Sequence, residues 1–185
     1  MTRCRWADPN SEIYLAYHDR EWGRPEHDDQ KLFEMLILEG FQAGLSWLTI
    51  LKKREAFRAA FDRFEPAVVA GYGPEKMEAL MADAGIVRNR AKILAAIQNA
   101  KVFLAIQEEF GSFDRYLWGF TGGEVILNAD DVFHTYTDLS DRISKDLQRR
   151  GMKFVGTTII YSFLQAVGVV NDHELACFCH PSHLA

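Results

Sequence analysis

Apolar residues recur at helical spacing along most of this chain, and that period constrains the fold more than anything else in the sequence. Leu32, Phe33, Leu36 and Ile37 form one such stripe behind Asp28 and Asp29, either of which can cap a helix. Ser46 can cap a second helix running through Phe57 and Phe61, and Pro66 cannot continue it. Pro74 suits the first turn of a helix ending near Asp83, with Gly85 just beyond. The longest pattern runs from about Arg88 to Phe110, with Ile93, Leu94, Ile97, Ala100, Phe103 and Leu104 as its stripe. Residues 121–131 read as a surface loop in which Val125-Ile126-Leu127 leaves room for a short strand. Helices are expected again after Ser140 up to Gly151, from Gly156 to Gly168, and over His173 to Cys177. With no repeat, low-complexity tract or linker in between, the expectation is an all-α fold in one domain over residues 1–185.

Composition narrows the class. A chain that is 48% hydrophobic and 25% charged is not disordered, and at 185 residues it can bury a core without metals or disulfides. No apolar run approaches the roughly 18 residues that cross a bilayer, and Met1-Thr2-Arg3-Cys4-Arg5-Trp6 lacks a signal peptide's apolar stretch, so a cytoplasmic protein is expected. Nothing points beyond a monomer. The net charge of −5 disfavours non-specific polyanion binding, yet leaves room for a local basic patch. Three cysteines are an odd count for a disulfide framework, so metal ligation or buried thiols are the better readings.

His173 and Cys177 are four residues apart and can face one ion from a single helix face. Cys4 and His18, near the other end, would complete a Cys2His2 set that suits tetrahedral zinc, with Cys179 and His180 as rivals. Such a site would staple the two ends together and, being saturated, would be structural. On the residues alone the alternative stands that Cys4 is a surface thiol and His173 a capping residue.

Around Gly151 a helix stops, and Met152-Lys153-Phe154-Val155-Gly156-Thr157-Thr158 leads straight into the next. Free N–H groups opening that second helix can bind an anion, aided by the helix dipole. Arg142, Lys145, Arg149, Arg150 and Lys153 make this the densest basic stretch in an acidic chain. Helical hairpins grip DNA phosphates this way without reading sequence, although an ordinary hairpin with a solvated basic face would look the same. Ala84-Gly85-Ile86-Val87, followed by Arg88, Arg90 and Lys92, is a weaker candidate of the same kind.

The first 50 residues gather Trp6, Tyr14, Tyr17, Trp22 and Trp47, with Tyr14 and Tyr17 on one helix face. Glu39 interrupts an apolar helix just before the turn marked by Gly40 and Gly44. A planar ligand could stack on these rings while the carboxylate accepts from its exocyclic amine and favours a cation. Taken singly, each aromatic is equally at home in a core.

Longer runs carry a resemblance: Arg3-Cys4 with Trp6, Ala16-Tyr17-His18-Asp19, Glu21-Trp22-Gly23, Leu32-Phe33-Glu34-Met35, Leu38-Glu39-Gly40, Gln42-Ala43-Gly44-Leu45-Ser46-Trp47 and Leu51-Lys52-Lys53-Arg54-Glu55. Lys153-Phe154-Val155-Gly156-Thr157-Thr158, Tyr161-Ser162-Phe163, Val170-Asn171-Asp172-His173 and Cys177 close the series. Over essentially its whole length the chain resembles the Tag family of 3-methyladenine DNA glycosylases, helix–hairpin–helix enzymes of base-excision repair. The resemblance implies structural Zn2+ on Cys4, His18, His173 and Cys177, with Cys179 not a ligand. It implies a base pocket at Tyr14, Tyr17, Trp22, Trp47 and the catalytic Glu39. Gln42 and Leu45 would fill the gap left by a flipped nucleotide, and Lys153, Phe154, Val155, Gly156 and Thr157 would hold DNA.

The implied reaction is hydrolysis of N3-methyladenine from double-stranded alkylated DNA, releasing free 3-methyladenine and leaving an abasic site. No lysine is placed for a Schiff base, so no lyase step is expected. Where many relatives in the wider superfamily carry an aspartate, this chain has Asn171, and no group is assigned to activate the water. The alternative is a zinc-stapled module that binds damaged DNA without cutting it. A catalytic-zinc deaminase is excluded by the absence of its His-x-Glu and Pro-Cys-x-x-Cys motifs.

Overall fold

Asp28 accepts the Lys31 N–H, Ser46 that of Thr49 and Asn89 that of Lys92, so three side-chain caps set where the long helices begin. The computed structural model describes residues 1–127 and 132–183. In chain order the helices are α1 (Glu12–Arg20), α2 (Asp29–Gln42), α3 (Trp47–Ala60), α4 (Pro66–Ala70), α5 (Pro74–Ala82), α6 (Arg90–Phe110), α7 (Phe113–Gly119), α8 (Asp138–Arg149) and α9 (Thr157–Ala166). Two short strands, β1 (Ile126–Leu127) and β2 (Val170–Asn171), pair in parallel with Ile126 opposite Val170. The segment read as a loop with room for a strand at 125–127 does carry one, at Ile126–Leu127. The end of the predicted 121–131 loop, residues 128–131, lies outside the described residues.

The middle of the fold is α2. All ten residues from Leu32 to Phe41 are buried, and the helix packs on α3, α6, α7 and α9. A helix apolar on every side has no solvent face, so the carboxylates within it, Glu34 and Glu39, are carried inside with their neighbours. Phe33, Phe41, Phe57, Phe61, Phe103 and Phe113 fill the core around it.

Several expectations need correction. Pro66 opens a new helix as its first residue rather than merely ending one, after a turn in which Asp62, Arg63 and Phe64 all have positive φ. The helix before Gly151 starts at Asp138, because Thr137 is the cap and Ser140 its capping-box partner. The short helix α7 was hidden by its length, seven residues between Gly111 and the glycine pair 122–123, although Ser112 caps it. No helix spans His173 to Cys177. That stretch is a turn whose N–H groups point at sulfur and at the N-terminal segment: Glu174 N–H donates to Cys4 Sγ, Cys179 N–H to Cys177 Sγ and Phe178 N–H to the Thr2 carbonyl.

The chain ends are joined through α9. Gly23 and Glu26 donate to the carbonyls of Gln165 and Val167. Gly168, at φ +72, lets this happen, since a Cβ there would lie 2.2 Å from the Arg24 carbonyl carbon.

Candidate functional site

A cavity of about 220 Å³ opens beside the C-terminal half of α2. Trp6, Tyr14, Tyr17, Trp22 and Trp47 form its aromatic walls, and Glu39 and Gln42 reach it from α2. Trp6 packs on Tyr14 and Trp22 with ring centroids 5.1 and 4.9 Å away, and Tyr17 lies 5.6 Å from Trp47. These rings are both core and wall, so the two readings of the aromatics coincide. Trp6, grouped with these rings in the sequence but absent from the pocket the resemblance implies, lines the cavity with them. Ser162, Gln165 and Asp172 also line it, and sequence spacing alone gave them no connection to the pocket.

The polar chemistry of this cavity is incomplete. Glu39 is 3% exposed, and its Oε2 has no hydrogen-bond partner among the described residues; the same holds for the indole Nε1 of Trp47 and for Oδ1 of Asp172. Buried polar atoms are nearly always partnered, because an unmade hydrogen bond costs about 1–3 kcal/mol. Burial pushes the Glu39 carboxyl up to about 8. Burial and, next, the nearby Glu39 raise Tyr14 and Tyr17 above the usual phenol range. A ligand with a donor and an acceptor on one planar edge would satisfy Glu39 and Trp47. A cationic ligand would draw Glu39 into its ionised form.

At the cavity mouth, residues 43–46 connect α2 to α3. Lys92, buried on α6, donates to the carbonyls of Phe41 and Ala43 at 2.9 and 2.6 Å and so caps the end of α2. That use removes Lys92 from the weaker basic candidate at 84–92. Leu45, 41% exposed, projects from this turn.

Cys4, His18, His173 and Cys177 meet, all buried, with one ligand atom from each within 4.8 Å of the others. Cys4 Sγ is 3.5 Å from His173 Nδ1, and Cys177 Sγ is 3.5 and 3.7 Å from His18 Nε2 and His173 Nδ1. Thiolate and imidazole ligands on a tetrahedral zinc ion lie about 3.6 Å apart, so the donor set fits such an ion. The outer contacts agree. His18 Nδ1 donates to Asp19 at 2.8 Å and His173 Nε2 to the Trp22 carbonyl at 3.1 Å, which turns His173 Nδ1 and His18 Nε2 toward the sulfurs, the latter also 3.3 Å from the Cys4 N–H. Arg3 hydrogen-bonds Asp19 and holds that carboxyl down at about 2. Burial pushes the Cys4 thiol up to about 12 and His173 down to about 4, so without a cation these are neutral groups. Cys179 stays outside the four; among the described residues it groups with His18 and Asp19. Of the rivals, His180 instead contacts Ser182.

The α8–α9 hairpin has the expected outline. Asn99 from α6 both donates to the Lys153 carbonyl and accepts its N–H, each at 2.8 Å, which fixes the turn. Ser144 donates to the Val155 carbonyl at 2.7 Å, and Ser140 meets Thr157 at 2.9 Å. Gly156 caps α9 without a side-chain partner, and a Cβ there would meet nothing within 4 Å. Phe154 is 37% exposed, at φ +54, whereas Val155 is buried and can present only backbone. The basic face is smaller than the sequence suggests: Arg149 pairs with Asp146, and Arg150 with Asp146 and Glu109. Arg142, Lys145 and Lys153 have no such pairing among the described residues.

Comparison with known proteins gives the same picture. DNA-3-methyladenine glycosylase 1 of Escherichia coli (strain K12) is 48% identical over 99% of both chains. A crystal structure of 3-methyladenine DNA glycosylase I superposes with a TM-score of 0.93 at 50% identity, covering 97% of this chain and 100% of the other. A tyrosine-to-phenylalanine variant of such an enzyme in complex with 3-methyladenine superposes at 0.90 with 38% identity, covering 99% and 98%. The sequence model of the methyladenine glycosylase family matches residues 6–180, and with agreement over that span the chain belongs to this family.

Proposed function

We propose that this protein excises N3-methyladenine from alkylated double-stranded DNA by flipping the nucleotide out and hydrolysing its N-glycosidic bond. It would release free 3-methyladenine, leave an abasic site and make no lyase cut. The observation that carries the reading is Glu39: a buried carboxylate with an unpartnered oxygen, in an aromatic-walled cavity of about 220 Å³, in a chain of the methyladenine glycosylase family. An adenine edge offers an amine beside a ring acceptor, which matches Glu39 and the Trp47 indole. N3-alkylation makes the base in DNA cationic, so Glu39 meets it as an anion while Tyr14, Tyr17, Trp22 and Trp47 enclose it. A cationic base is already a good leaving group, and the pocket need mainly select and orient it.

In this reading Gln42, at the cavity, and Leu45, at its mouth, fill the space the flipped nucleotide leaves. Lys153, Phe154, Val155, Gly156 and Thr157 hold the phosphates, mostly through backbone N–H groups at the start of α9. Zinc on Cys4, His18, His173 and Cys177 would have no open position, and its contribution would be to tie residues 4–18 to 173–177 beside the pocket. The whole chain would act as one domain, a monomer, in the cytoplasm. No helix among the described residues is long and apolar enough to cross a membrane.

The test is chromatographic detection of free base from methylated duplex DNA, wild type beside Glu39→Gln. Release of 3-methyladenine by the wild type, reduced about 100-fold in the variant, is expected. No release by a folded, metal-loaded protein would leave a module that binds damage without cutting it.

A further inference from the structure

A second cavity, of about 410 Å³, adjoins the base pocket. Its walls include Thr137, Asp138 and Arg142 at the start of α8, close to the Thr157 end of α9, where Ser140 joins the two helices. Asp172 and His134 are the two residues that line both cavities. In the glycosylase reading, a nucleotide with its base in the first cavity and its phosphates at the α9 N-terminus would carry its sugar near these residues.

The two carboxylate oxygens of Asp172 differ in their partners. Its Oδ2 accepts from the Tyr161 hydroxyl and from Gln165 Nε2 at 2.6 Å, both on α9, so the carboxylate plane is fixed. Its Oδ1 is buried and has no partner among the described residues. Asn171 is differently occupied: its Nδ2 donates to the Gly23 carbonyl and its Oδ1 accepts the His173 N–H, which places it in the scaffold.

We propose that Asp172 is a catalytic residue whose free oxygen faces the sugar of the flipped nucleotide, stabilising the positive charge that develops there and holding the attacking water. The inference rests on the glycosylase reading above. The C1′–N9 bond breaks with its electron pair leaving on the alkylated base, which departs neutral, and the positive charge passes to C1′ and the ring oxygen. Water then forms the new C1′–O bond and its proton leaves to solvent. A fixed anion at this place lowers the barrier because it interacts with a charge absent from the sugar in the ground state.

The experiment compares wild type and Asp172→Asn, both metal-loaded, in two measurements. One is single-turnover release of 3-methyladenine from methylated duplex DNA. The other is binding to duplexes carrying a protonated pyrrolidine or a neutral tetrahydrofuran in place of the damaged nucleotide. The variant is expected to release base about 100-fold more slowly, to lose about tenfold in affinity for the pyrrolidine duplex and to keep its affinity for the tetrahydrofuran duplex. Equal weakening on both duplexes would assign Asp172 to structure and overturn the proposal. So would an unchanged release rate, or a preference for the cationic duplex that survives the substitution. If the wild type releases no base, the glycosylase reading itself fails, an outcome separable from failure of the variant alone.

Discussion

Glu34 and Glu39 sit on the same helix, 6% and 3% exposed, and could hardly be treated more differently by the fold. Glu34 receives Arg54 Nε at 2.5 Å and Arg58 Nη2 at 2.8 Å, and Arg54 continues to Glu21 at 2.7 Å. Among the described residues Glu39 has no cation beside it and one oxygen without a partner, and its carboxyl is pushed up to about 8 by burial alone. One acid is satisfied inside the protein; the other is held ready for something that arrives. Where both groups are buried, the partner list separates structure from function, and residue type does not.

The comparison can be broken or sharpened by experiment. The strongest effect should come from the most fully partnered group: Cys177→Ala should lose the metal and several kcal/mol of stability, read from metal content and denaturant unfolding. A Cys4→Ser protein with full zinc content would remove Cys4 from the ligand set. Next, Glu34→Ala leaves the part-buried Arg54 with Glu21 alone and takes one carboxylate from Arg58, and about 3 kcal/mol should be lost in urea unfolding. If it costs nothing, the contrast between the two acids has no energetic basis.

Glu39→Gln should move stability the opposite way. The native carboxyl keeps a proton between about pH 4.5 and 8 that the unfolded chain has released, so wild-type stability falls as pH rises through that window. The variant should therefore match wild type below pH 4.5 and exceed it above pH 8. The gain should be a few kcal/mol, since a carboxyl pushed up to about 8 forfeits about 1.4 kcal/mol for each pH unit above its ordinary value. Parallel melting curves across that range would show that Glu39 finds a partner the geometry does not contain. The smallest effect is at the hairpin. Lys153→Ala should weaken DNA binding less than tenfold and reduce the slope of log affinity against log salt by about 1. An unaltered slope would take Lys153 out of the phosphate contacts.

Legibility in the sequence followed the range of the interactions. Caps at Asp28 and Ser46 and the stripes of α2, α3 and α6 could be read locally, because helix caps and helical spacing act over three or four residues. The α7 helix was too short to show a period, and the turn at 173–177 departed from helical expectation because contacts with residues 2 and 4 hold it. The pocket was legible as a set of residue types that included Trp6, although the pocket implied by the resemblance left it out. The pairing of Arg149 and Arg150 with acids reduced a basic face that composition had enlarged.

The sequence by itself determined where the long helices α2, α3 and α6 run, which residues are apolar and that an acid must enter the core with α2, since those follow from spacing along the chain. Through its resemblance it also pointed to the family. Only the tertiary structure decided that Glu34 meets arginines while Glu39 meets none, that Cys4 and Cys177 share one buried cluster, and that Asp172 stands between two cavities. Each of those depends on groups far apart in sequence coming within a few ångströms, and burial then makes the presence or absence of a partner worth kilocalories.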